Sequence, residues 1–130
     1  MKKTLIPVSI LFLAVAASAP AQETTDDSTV ILPLEAQTCN LPAAPARIPD
    51  DAELPELAKA KNAVNSFQAE MIEYRDCLDE ARGLGNLTQG NQIALNEAHN
   101  YSVEMEERVA EQFNAAVRAY KARQAEKAEG

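Results

Sequence analysis

Tryptophan is absent from this 130-residue chain, and it has only three phenylalanines and three tyrosines. A large aromatic core is therefore excluded. Histidine occurs once, as His99, and cysteine twice, as Cys39 and Cys77. Two thiols and one distant imidazole fall short of a four-ligand zinc set. No Ser-His-Asp or Cys-His arrangement is assembled either. Positive charge is scarce, with 12 Lys and Arg against 20 Asp and Glu. Such a balance repels nucleic acid and anionic membrane faces. No apolar run reaches the roughly 20 residues of a membrane span.

The first apolar run has another use. Lys2 and Lys3 give a basic head, and Leu5 to Ala17 is apolar apart from Pro7 and Ser9. Ala19-Pro20-Ala21 then offers small residues where a signal peptidase reads them, which places the cut between Ala21 and Gln22. No cysteine sits at the cut, so no lipid anchor is indicated there. Removing residues 1–21 leaves 109 residues, enough for one small domain. The mature chain keeps ten basic and all twenty acidic side chains, a net charge of −10 with His99 neutral. The expected location is the bacterial periplasm or the exterior, with no membrane span after cleavage.

Beyond the cut, residues 22–38 are polar and acidic and read as a flexible tail. Residues 39–54 read as an extended arm, because Pro42, Pro45 and Pro49 exclude a helix. Residues 55–127 read as a helical hairpin, with helices over about 55–83 and 88–127. In the first, Leu57, Ala60, Val64, Phe67, Met71, Tyr74, Leu78 and Ala81 recur at heptad spacing. Pro55 suits its first turn, and Gly83 is placed for a left-handed cap at its end. Thr88 can cap the second helix, whose first turn Gly90 weakens by roughly 1 kcal/mol relative to Ala. Its seam runs Leu95, Ala98, Ser102, Met105, Val109, Phe113, Ala116 and Tyr120. Two four-residue steps around Val109 form a stutter.

The short loop forces the helices antiparallel. Folding the seams together sets Leu78 against Leu95, Met71 against Ser102, Phe67 against Met105 and Val64 against Val109. The fold class is thus all-α: an antiparallel, coiled-coil-like two-helix hairpin with an extended proline-containing arm. Arg118, Lys121, Arg123 and Lys127 then fall beside Asp50, Asp51, Glu53 and Glu56, which predicts carboxylate pairing at that end. Export to an oxidising compartment favours a disulfide between Cys39 and Cys77 over free thiols or a metal site. The reach allows it: sixteen extended residues from Cys39 to Pro55 cover about 50 Å, and the helix from Pro55 to Cys77 rises about 33 Å.

Other candidates carry less. His99 lacks an acidic residue three or four positions away, and across the hairpin it falls near Glu73. Gly83-Leu84-Gly85 follows a helix and lacks the Lys-Ser/Thr of a phosphate loop. Glu104, Glu106, Glu107 and Glu111 read as a solvated face rather than a calcium site. Asn86-Leu87-Thr88 and Asn100-Tyr101-Ser102 match the glycosylation triplet. Ile72, Ile93, Val103 and Val117 lie off the seams. Their cover is expected from the arm through Leu41 and Ile48, from a second hairpin in a homodimer, or from a protein partner.

Cys39-Asn40-Leu41-Pro42, Pro45, Ile48-Pro49-Asp50, Phe67, Tyr74, Cys77-Leu78, Phe113-Asn114 and Tyr120 together resemble small exported proteins of alphaproteobacteria, a group with no established activity. The resemblance implies an exported helical hairpin bridged by Cys39 and Cys77. The chain is also similar to periplasmic helical chaperones that carry Leu-Thr-x-x-Gln, although Gln92 follows Leu87-Thr88 one residue late. The expected function is that of a non-catalytic envelope protein, structural or protein-binding, with no cofactor and no metal site. The alternatives are a chaperone-like client binder and a metal-dependent protein using His99.

Overall fold

The structure is a computed structural model that describes residues 27–130; the leader and the Ala21–Gln22 cut lie outside the described residues. Three helices follow in order: α1 (Leu34–Gln37), α2 (Leu54–Gly83) and α3 (Gln89–Glu129), with no strand among the described residues. Helices α2 and α3 pack against each other as an antiparallel hairpin, and Cys39 is bonded to Cys77.

The ends of the long helices follow from local chemistry. Glu53 and Glu56 form a reciprocal capping box, with Pro55 in the first turn of α2. The capping residue thus lies ahead of the proline, and the helix begins at Leu54. At the other end the expectation for Gly83 is corrected. Gly83 remains helical, and the Leu84 N–H bonds the Ala81 carbonyl at 3.4 Å. The chain reverses at Gly85 (φ 79°) and Asn86 (φ 56°), the two left-handed residues among those described. Glycine and asparagine tolerate that conformation best. Thr88 then caps α3 as expected: its Oγ accepts the Asn91 N–H at 3.0 Å, and the Asn91 side chain accepts the Thr88 N–H at 3.1 Å.

The seam of α2 is buried as its spacing predicts, at Leu57, Val64, Phe67, Met71, Tyr74, Leu78 and Ala81. On α3 the buried seam positions are Leu95, Ser102 and Val109, and Ala98, Met105 and Phe113 are half-buried against the same core. On α3 the core thins past Val109, where the later seam positions Phe113, Ala116 and Tyr120 are only half-buried.

One expectation for the first segment is overturned. Residues 27–38 are docked rather than a free tail. The Gly90 N–H donates to the Asp27 carbonyl at 2.9 Å, and Asn91 Nδ2 donates to the Ile31 carbonyl at 2.8 Å. Pro33 is buried, and Ala36 of α1 is 2 % exposed and joins the hairpin core. The composition is acidic, but a few small apolar groups and two hydrogen bonds to the start of α3 hold the segment. A side chain at Gly90 would collide with the Thr29 carbonyl. Glycine there permits close approach of two backbones, a reason stronger than its cost in helix propensity.

Candidate interaction site on the tied arm

The arm begins where Cys39 meets Cys77, with Cα atoms 5.8 Å apart. It runs as extended chain to a turn at Asp50 and Asp51, where the Ala52 N–H bonds the Pro49 carbonyl at 3.1 Å. Its far end is held by Arg123 of α3. Nη1 donates to the Asp50 carbonyl at 2.7 Å and Nη2 to the Ala52 carbonyl at 2.6 Å. The same guanidinium carbon lies 5.9 Å from the centre of the Tyr120 ring. The expected pairing of basic α3 residues with Asp50, Asp51, Glu53 and Glu56 is therefore corrected: Arg123 engages main-chain carbonyls. Arg118 bonds Glu111 on its own helix at 2.7 Å, and Arg47 faces Asp50 within the arm at 3.6 Å. These exposed pairs contribute only ~0–1 kcal/mol each.

Between its anchors the arm packs by side chains. Pro42 is buried and Ile48 half-buried. Ile48 separates two clefts. One, of about 250 Å³, lies between Pro45–Pro49 and α2, with Ala60, Ala63 and Val64 opposite and Val109 of α3 beneath. The other, of about 510 Å³, lies on the α3 side against Ala115, Ala116 and Ala119. The arm does not cover Ile72 as expected. Leu41 and Ile72 remain 42 % and 52 % exposed, because Cys77 and Ile72 lie on opposite flanks of α2.

On the helices, the fully buried Ser102 brings a hydroxyl into the core. Its Oγ donates to the His99 carbonyl at 2.6 Å and accepts from Arg75 Nη1 at 3.4 Å. Arg75 in turn pairs with Glu106 at 2.8 Å, both largely shielded from solvent. The Arg75–Ser102–Glu106 group ties the two helices, and sequence spacing did not reveal it. His99 is half-buried, Glu73 is exposed, and no group of three His, Cys, Asp or Glu suited to a metal ion occurs among the described residues. Of the Asn100-Tyr101-Ser102 triplet, Asn100 and Tyr101 are exposed and Ser102 is buried, whereas Asn86 is exposed at the hairpin turn.

Charge and apolar exposure divide along the hairpin. Residues 27–46 and 64–111, toward the loop, carry twelve carboxylates against three arginines, a net −9. Residues 47–63 and 112–130, toward the open end, carry seven basic and six acidic side chains, a net +1. The loop half also holds Val30, Ile31, Leu34, Leu41, Ile72, Leu84, Ile93 and Tyr101, each substantially exposed, whereas the open half has only Leu54. Among the described residues, no helix is long and apolar enough to cross a membrane. Comparison with known protein families, curated proteins and solved structures finds no match to this chain.

Proposed function

We propose that this chain is an exported, non-catalytic envelope protein that works as a protein-interaction element. Its loop half is the docking surface, and its partner presents a basic segment with apolar side chains. The observation that carries this reading is the coincidence of a net −9 charge with eight exposed large apolar residues in the same half. Acidic side chains steer a basic partner, and exposed apolar groups supply area to bury once it arrives. The Cys39–Cys77 bond suits an oxidising compartment, in keeping with the leader-like first 21 residues. The resemblance to small exported hairpins of alphaproteobacteria agrees with it.

The same exposed residues favour a second reading, chaperone-like holding of unfolded clients, and one experiment separates the two. A photo-crosslinking residue is placed at Ile72, Leu84 or Leu54 in the exported protein, with and without Lys at Glu73, Asp76, Asp79 and Glu80. The docking reading expects one discrete adduct from positions 72 and 84, lost on charge reversal and absent from position 54. A smear of adducts that survives charge reversal, with suppression of aggregation in vitro, selects client holding. Equal adducts from all three positions reject both. Mass spectrometry of the exported protein is expected to find Gln22 at its start.

A further inference from the structure

We propose that the cleft between the arm and α2 is a binding site for a medium-chain carboxylate, an anionic amphiphile of about eight carbons. Its walls are apolar: Pro45 and Ile48 on the arm, Ala60, Ala63 and Val64 on α2, and Val109 beneath. The length fits. Residues 56–64 of α2 rise about 12 Å along the cleft, and residues 45–49 of the arm cover about the same distance. The volume fits as well. A cleft of about 250 Å³ takes a small amphiphile rather than a diacyl lipid or a folded partner.

The rim decides the sign of the head group. Three charged residues border the cleft: Arg47, Glu56 and Lys59. The Glu56 carboxylate is engaged, accepting the Glu53 N–H at 2.9 Å in the capping box, and it lies at the positive end of the α2 dipole. Arg47 faces only Asp50 across 3.6 Å, with both side chains more than 80 % exposed, so its guanidinium is free to turn. Lys59 has no ion pair among the described residues. Two mobile cations therefore stand over an apolar slot at the boundary between the two halves, both of them on the side that carries +1 rather than −9. A cation is steered to the loop half, and an anion has this end. A polar anion without a tail gains nothing from the walls, and an uncharged alkane leaves the cations idle.

This site is separate from the loop-half surface, so either reading can fail without the other. The test is calorimetric titration of the oxidised mature protein with butanoate, hexanoate, octanoate and octylammonium. Affinity should rise by about a factor of four per added methylene, the equivalent of about 0.8 kcal/mol. Octylammonium should bind at least tenfold more weakly than octanoate. Ala63 is exposed, so Ala63→Leu fills the slot without entering the helix seam and should abolish octanoate binding while the circular dichroism spectrum is unchanged. Lys59→Glu should weaken octanoate and strengthen octylammonium. Thiol reduction of the Cys39–Cys77 bond, which fixes the arm wall, should lower affinity in the wild type. Absence of octanoate binding, equal binding of both head groups, or unaltered binding by Ala63→Leu overturns the proposal.

Discussion

Arg123 and Ala52 meet across 71 positions of sequence, the guanidinium of α3 donating at 2.6 Å to the carbonyl of the turn that leads into α2. A second bond from the same group reaches the Asp50 carbonyl at 2.7 Å. The arm is thus closed at both ends, covalently at Cys77 and by hydrogen bonds from Arg123. Hydrogen bonds from a charged donor contribute about 1.5–3 kcal/mol. Arg123→Ala should therefore lower unfolding stability by about 2 kcal/mol, and Arg123→Lys should recover only part, since an ammonium lacks the planar fork. Reducing the disulfide, which joins residues 38 apart, should cost about 3–4 kcal/mol by the chain-entropy estimate. The combined loss should fall short of the sum of the two, because each anchor holds the arm in place for the other and losing one already weakens its partner. Additive urea-melt energies would show the anchors to be independent.

Two phenylalanines of the same seam should respond unequally. Phe67 is 3 % exposed inside the core, whereas Phe113 is half-buried where the core thins. Phe67→Ala should cost about 3–5 kcal/mol. Phe113→Ala should cost less, because part of its ring already meets solvent. Thermal melts of the oxidised variants provide the comparison. Equal losses would place the centre of the core nearer the open end.

The heptad seam was legible because periodic apolar positions declare a helix face without knowledge of what it meets. Tyr74, Leu78 and Leu95 fell into the core for that reason. Thr88 was legible as a cap because capping chemistry is local. Segment 27–38 was not, since four residues of α1 are too short for a period and Ala36 is too small to announce burial. The role of Gly90 depends on Thr29, 61 positions earlier, and nothing around residue 90 encodes that approach. Arg123 was legible as a cation near the right end of the molecule. Its true acceptors are carbonyls, which every residue carries and composition cannot distinguish. The cleft was illegible for a related reason: it is space left between an arm and a helix, fixed by where the two anchors fall.

Burial raises the Tyr74 phenol above its ordinary value of 10.0. Between that value and the raised one, the unfolded chain has released the proton while the folded chain still holds it. The corresponding stability is intact below about pH 10 and is lost as pH rises through the folded value. Tyr74→Phe removes the titrating group. Urea melts at pH 9, 10 and 11 should show the parent losing more stability than Tyr74→Phe over this interval. Parallel losses would mean that other groups govern the alkaline limit.

Two glycines should move stability in opposite directions when replaced by alanine. Gly83 sits in the last turn of α2 without a positive φ, and an added methyl meets nothing within 4 Å. Alanine there restricts the unfolded chain and suits the helix, so Gly83→Ala should raise stability by about 0.5–1 kcal/mol. Gly90 is also helical, and propensity alone would forecast the same gain. The added methyl would instead strike the Thr29 carbonyl, with Ser28 close behind. Residues 27–31 must then shift, which strains the Gly90–Asp27 and Asn91–Ile31 bonds that dock them. Gly90→Ala should therefore lower the melting temperature and speed amide exchange over residues 28–36, while the Thr88 cap of α3 stays protected. A Gly90→Ala protein with unchanged exchange in that segment would mean that the docking is dispensable and that propensity governs this position.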